Sequence, residues 1–114
     1  MRLRVPAWAV IALATTILLV PSLVIGSPAE AASMKTWSRL AKCESGGRWH
    51  INTGNGYYGG LQISGGTWRA YGGKRLAPQA HKATKREQVR VAKRILKRQG
   101  WGAWPSCSRR IGKR

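Results

Sequence analysis

The sequence predicts an α+β domain that is mostly helical, with a short β-hairpin or irregular glycine-rich loop and one disulfide. Three observations predict it. Apolar residues recur at helical spacing in two stretches, one ending at Glu44 and one ending at Gln99. Between them, residues 46–66 hold eight glycines and two asparagines, a density that favours turns over regular packing. The two cysteines, Cys43 and Cys107, allow a single intramolecular pairing.

The chain of 114 residues has room for one domain. Arg2 and Arg4 precede an apolar run from Ala7 to Val20, then Pro21 and the small-residue stretch Gly26 to Ser33. Ala29-Glu30-Ala31 has the A-x-A form of a signal-peptidase site, so residues 1–31 read as an export signal cut after Ala31. An uncut membrane anchor is the alternative, since apolar character continues to Ile25. Residues 32–107 then form the folded domain and residues 108–114 a basic tail that is expected to fray. So small a core usually needs a staple, and a disulfide in an exported chain supplies one.

The first helix is expected from Thr36, as N-cap, to about Glu44, with Gly46-Gly47 as its stop. Trp37, Leu40, Ala41 and Glu44 fall at i, i+3, i+4 and i+7, so Glu44 points the way the apolar residues point. Burial, and the negative C-terminal end of the helix, both push a carboxyl pKa upward. Asn55-Gly56 is a turn signal, and Tyr57-Tyr58-Gly59-Gly60-Leu61-Gln62-Ile63 continues the hairpin or loop. Thr67 to Tyr71 reads as a short second helix between glycine pairs, and Lys74 to Ala83 as a loop. Thr84-x-x-Glu87 is a capping box that opens the longest helix. Behind it, Gln88, Val91, Ala92, Ile95, Leu96 and Gln99 form one stripe, with Arg and Lys covering the remaining surface until Gly100 ends the helix.

The inventory excludes much chemistry. The net charge is +18, with 21 Lys and Arg against Glu30, Glu44 and Glu87, and there is no Asp. No Ser-His-Asp set can be assembled without Asp. The glycine pairs lack the Lys-Ser/Thr ending of a phosphate-binding loop. Two His and a paired disulfide leave no zinc or calcium site, so neither metal nor cofactor is expected. Such a charge points to anionic partners, and an export signal shifts these from nucleic acid toward the cell envelope.

With Glu30 in the leader and Glu87 in a cap, Glu44 is the one carboxylic acid available as a general acid/base. His50 could serve as a base near it, although a loop His without a role is the simpler reading. Glycoside cleavage ordinarily uses two carboxylates. One suffices if the sugar supplies the nucleophile, as a muramyl 6-hydroxyl can by closing a 1,6-anhydro ring. That economy favours a lytic transglycosylase over a hydrolase. A non-catalytic wall-binding or signalling module, and a cationic protein acting on membranes or nucleic acid, are the competing readings.

From Trp37 to Cys107 the chain resembles the catalytic domain of the actinobacterial resuscitation-promoting factors. The resemblance rests on Trp37-x-x-Leu40-Ala41-x-Cys43-Glu44-Ser45-Gly46-Gly47-x-Trp49, on Ile51 to Gln62, and on Gln99-Gly100-Trp101-Gly102-Ala103-Trp104-Pro105-x-Cys107. Thr67-Trp68, Gly72-Gly73, Ala77-Pro78 and Arg86-Glu87-Gln88 complete it. It implies a small lysozyme-like fold, related to soluble lytic transglycosylases, that acts on the MurNAc-GlcNAc β-1,4 bond of peptidoglycan glycan strands. The family's catalytic Glu corresponds to Glu44 and its disulfide to Cys43 and Cys107. Its cleft residues correspond to Tyr57, Gln62, Thr67 and Gln99, and Trp49 of the first motif is taken with them as an aromatic substrate contact.

The resemblance further implies a secreted protein associated with regrowth of dormant cells, some members acting beside a peptidoglycan endopeptidase; a wall-associated monomer is expected. Arg48 departs from the Asn common in the family, and Ile63 from a common Phe. The basic surface is expected to hold the protein on anionic wall polymers.

Overall fold

Three helical segments and a glycine turn are tied together at one point, and that point shapes the domain. The computed structural model describes residues 32–113; the expected export signal and the last residue of the tail lie outside them. Among the described residues the order is α1 (Met34–Ser45), β1 (Tyr57–Tyr58), β2 (Ile63–Ser64), α2 (Gly65–Ala70), α3 (Lys85–Gln99) and α4 (Pro105–Arg110). Single 3-10 turns at Gly73–Arg75 and Ala80–Lys82 occupy the stretch expected to be a plain loop, and another at Gly100–Ala103 joins α3 to α4. No helix of the described residues is long and apolar enough to cross a membrane.

Helix α1 is capped three residues earlier than the sequence suggests. Ser33, not Thr36, is the N-cap, its hydroxyl accepting the Thr36 N–H. Gly46, at φ +71, closes the helix in the left-handed conformation expected of its stop. Trp37, Leu40 and Ala41 are fully buried. In α3 the capping box is present in both halves, Thr84 Oγ1 accepting the Glu87 N–H and Glu87 Oε1 accepting the Thr84 N–H. Its stripe of Gln88, Val91, Ala92, Ile95 and Leu96 is buried as expected, while Gln99 at the end is exposed.

The core centres on tryptophan. Trp37 lies 5.5 Å from both Trp101 and Trp104, ring centre to ring centre. Trp68 is fully buried, its indole N–H donating to the Ala77 carbonyl at 2.8 Å. Gly73 lies against that ring so closely that a Cβ would stand 2.3 Å from it. The Cys43–Cys107 disulfide joins α1 to α4 across 64 residues of chain. With that anchor, the tail does not fray where expected. Helix α4 continues to Arg110, Ser108 is buried, and Arg39 donates to the Ile111 carbonyl at 3.3 Å.

The glycine-rich stretch is a hairpin. Tyr57 pairs with Ser64 and Tyr58 with Ile63, and the reversal between the strands is Gly59-Gly60-Leu61-Gln62. Asn55-Gly56 belongs to an earlier turn, closed by an antiparallel bridge from Asn52 to Tyr58. Three distant side chains hold the reversal. Ser45 of α1 donates to the Gly60 carbonyl at 2.8 Å. Gln88 of α3 accepts the Gly60 N–H at 3.0 Å and donates to the Trp49 and Ala83 carbonyls. The Trp104 indole donates to the Leu61 carbonyl at 3.0 Å.

Candidate active site

Glu44 is held between two fixed neighbours. On one side Cys43 is bonded to Cys107 of α4. On the other, Ser45 is buried and bonded to the hairpin reversal. Arg48 reinforces this end of α1, its backbone N–H bonding Ser45 Oγ at 3.1 Å and its Nε donating to the Ser45 carbonyl at 2.8 Å. An Arg at this position thus caps the orphan carbonyls of the helix end. The Glu44 carboxyl is half-buried, and burial raises its pKa above the ordinary value of 4.5. Burial, not a charged neighbour, is the cause, so the group keeps its proton toward higher pH than a surface carboxyl.

A groove leads away from it. Glu44, Tyr57, Gln62, Ala103, Trp104 and Pro105 line a depression of about 290 Å³. Tyr57, Gln62, Ala103 and Trp104 also line a narrower recess of about 80 Å³, reaching Ile63, Ser64, Thr67, Ile95 and Gln99. The hairpin forms one wall, and the α3–α4 junction the other. The structure therefore brings Glu44, Tyr57, Gln62, Thr67 and Gln99 to one continuous surface. Tyr57, half-exposed, stands at its lip.

Gln62 sits in the groove at φ +53, a left-handed conformation that costs a non-glycine residue about 1 kcal/mol or more. Its Nε2 donates to the Gly59 carbonyl at 3.1 Å, and the three anchors of the reversal hold the conformation in place. Gln99 Nε2 donates to the Tyr71 hydroxyl at 2.9 Å, which fixes the far end of the groove.

Trp49 is not with these residues. Its ring lies against Gly60, where a Cβ would stand 2.5 Å from it, and Lys85 Nζ lies 5.2 Å above its face. The physical reason is its tie to the core, since its carbonyl is bonded to Gln88 and its ring fills the space behind the reversal. Trp49 thus shapes the turn that carries Gln62. His50 is also elsewhere, its Nδ1 bonded to the His81 carbonyl at 2.8 Å. Glu87 is committed to the cap of α3. Among the described residues no cluster of three or more potential ligands could hold a metal ion.

Trp104, Ala103 and Pro105 line the groove, although in the sequence they stand out only within the segment resembling the family and not as site residues. The tie that puts Trp104 there runs to Leu61, 43 residues away, and leaves no local pattern to read.

The transglycosylase-like domain family model matches residues 31–107 of the chain. Among curated relatives, the chain is similar to resuscitation-promoting factor Rpf1 of Corynebacterium glutamicum, 56% identical over 89 residues, 78% of this chain and 46% of that protein. Resuscitation-promoting factor RpfB of Mycolicibacterium smegmatis is 58% identical over 79 residues, 69% of this chain and 22% of that protein. Resuscitation-promoting factor Rpf of Micrococcus luteus is 51% identical over 86 residues, 75% of this chain and 37% of that protein. The chain spans less than half the length of each of these relatives. The mostly helical, lysozyme-like class expected from the sequence is the one found.

Proposed function

The chain belongs to the transglycosylase-like domain family, and from that premise we propose that it is a secreted, wall-associated enzyme that cleaves peptidoglycan glycan strands at the MurNAc-GlcNAc β-1,4 bond. The observation that carries this reading is Glu44. It is one carboxyl, half-buried with raised proton affinity, at the end of a groove lined by Tyr57, Gln62, Thr67 and Gln99. The groove offers aromatic and amide groups of the kind that hold sugar rings and N-acetyl substituents.

In this mechanism Glu44, protonated, gives its proton to the glycosidic oxygen as the bond from the muramyl C1 breaks. The muramyl 6-hydroxyl oxygen attacks C1, and the Glu44 carboxylate takes the hydroxyl proton. The products are a 1,6-anhydromuramyl end and a free GlcNAc 4-hydroxyl, with no water consumed and Glu44 again protonated. A hydrolase ordinarily uses a second carboxylate, as base for water or as nucleophile. Among the described residues the one other carboxylate, Glu87, is bonded to Thr84 in the cap of α3. The relatives are named resuscitation-promoting factors, and the role extended to this chain is promotion of resuscitation, read as regrowth of dormant cells. The net charge of +18 favours retention on anionic wall polymers.

Mass spectrometry of fragments released from purified walls tests the reaction. Transglycosylation yields ends one water lighter than hydrolysis does. Glu44→Gln is expected to bind walls but release fragments about 10²–10⁴-fold more slowly. Equal release by that variant would remove Glu44 from the mechanism.

A further inference from the structure

Beyond the Gln99 end of the groove lies a second concavity of about 430 Å³, lined by Tyr71, Arg94, Lys97 and Arg98. It is joined to the groove through one hydrogen bond, from Gln99 Nε2 to the Tyr71 hydroxyl. Arg94 is held in place on its rim. Its Nη1 donates to the Tyr71 carbonyl at 2.9 Å, and it lies so close to Gly72 that a Cβ there would stand 3.0 Å from that nitrogen. That bond uses one of five guanidinium N–H groups and fixes the direction of the others.

Lys97 and Arg98 follow Arg94 at i+3 and i+4, so the three cations share one face of α3 and repel one another. Among the described residues no carboxylate pairs with them. Glu87 lies seven residues up the helix, about 10 Å away, and is bonded to Thr84. Lys97 and Arg98, in the last turn of α3, also complement the helix C-terminus. Arg94 is a turn further back, and that role does not account for its anchorage to Tyr71.

We infer that Tyr71, Arg94, Lys97 and Arg98 form an anion subsite for an oxyanion, a phosphodiester or a carboxylate, carried by the same strand whose sugars lie in the groove. A fixed guanidinium with two flanking cations suits such a group, because the fork matches paired oxygens and its ordering entropy is already spent. The inference rests on the groove being a glycan site and deepens that reading by naming what the strand must carry. It also turns a diffuse charge into a local one, so that a wall strand is selected by its substituent as well as by its sugars.

Equilibrium binding to purified walls tests it, using the full-length protein in the Glu44→Gln background so that nothing is digested. Arg94→Gln/Lys97→Gln/Arg98→Gln is compared with Lys35→Gln/Lys42→Gln/Lys82→Gln, which removes the same charge from exposed positions outside both cavities. The subsite variant is expected to bind about tenfold more weakly or worse, and the control by less than about threefold. Walls stripped of phosphate polymers, walls stripped of stem peptides and walls stripped of both then name the source. The difference between variants vanishes with the phosphodiester, with the peptide carboxylate, or only when both are gone.

Equal losses in the two variants, no loss in either, or a difference that survives removal of both anions would overturn the subsite. Glycan release is measured separately with Glu44 intact. Its absence would count against the proposed reaction and leave these binding ratios standing.

Discussion

The Gly60 N–H donates to Gln88 Oε1 at 3.0 Å, joining the hairpin reversal to the first turn of the longest helix across 28 residues. The same Gln88 side chain, fully buried, spends its amide protons on the carbonyls of Trp49 and Ala83. Three backbone groups from two loops thus depend on one amide. Because Gln62 sits two residues past Gly60, this amide also sets one wall of the groove.

Gln88→Leu keeps the approximate volume and leaves those three groups without partners. A buried unsatisfied polar group costs about 1–3 kcal/mol. Urea unfolding should therefore show a loss of roughly 2–4 kcal/mol, with wall-cleaving activity falling as the reversal loosens. A loss below about 0.5 kcal/mol would mean that the amide is not the tie described.

Glycines in this region differ in what they do. Gly60→Ala would set a Cβ 2.5 Å from the Trp49 ring, where two packed segments must separate. Overpacking of this kind costs about 1–3 kcal/mol. Gly66 of α2 has nothing within 4 Å of an added Cβ, so Gly66→Ala should be neutral or stabilising by up to about 1 kcal/mol. Paired thermal melts check the contrast, and equal shifts for the two would contradict it.

Glu44 should be a stability cost as well as a chemical group. Burial raises its folded-state pKa, so the folded state holds the proton more tightly than the unfolded one. The penalty is absent below the unfolded value near 4.5 and grows as pH rises through the raised folded value. Glu44→Gln should therefore melt higher than the parent at neutral pH, and the gain should vanish by about pH 4. A gain independent of pH would point to packing instead of ionisation.

The disulfide closes 64 residues of chain, which in the chain-entropy model is worth about 4 kcal/mol. For a domain of this size that corresponds to a fall in Tm of roughly 15–30 °C on replacing both cysteines with alanine. Activity should fail at a lower temperature than in the parent, since Cys43 adjoins Glu44. A double variant melting within about 5 °C of the parent would show that tryptophan packing alone holds α1 to α4.

Legibility in the sequence followed distance along the chain. The α3 helix could be read in full, since the capping box spans three residues and the stripe repeats every three or four. The direction of Glu44 followed from the same periodicity in α1. The N-cap of α1 lies three residues before the expected one because Ser33 and Thr36 are both competent caps and only the geometry selects Ser33. The order of the tail escapes the sequence for a related reason: it rests on the Cys43–Cys107 bond and on Arg39, 72 residues from Ile111, and no local composition signals that last contact.

By itself the sequence determined α3, the buried faces of α1 and α3, the single pairing open to two cysteines, and Glu44 as the one candidate carboxyl outside a cap and the leader, because each depends on residues within a turn of one another or on a count. Tertiary structure alone decided where the groove runs, that Trp104 lines it, that Trp49 lies behind the reversal, and that Arg94 and Gln99 both bond Tyr71. Those outcomes depend on hydrogen bonds and packing between residues 15 to 64 positions apart, such as Ser45 with Gly60, Leu61 with Trp104 and Cys43 with Cys107. Periodicity decays within a few turns and carries no record of such pairs; only the closing of the chain on its tryptophan core brings them together.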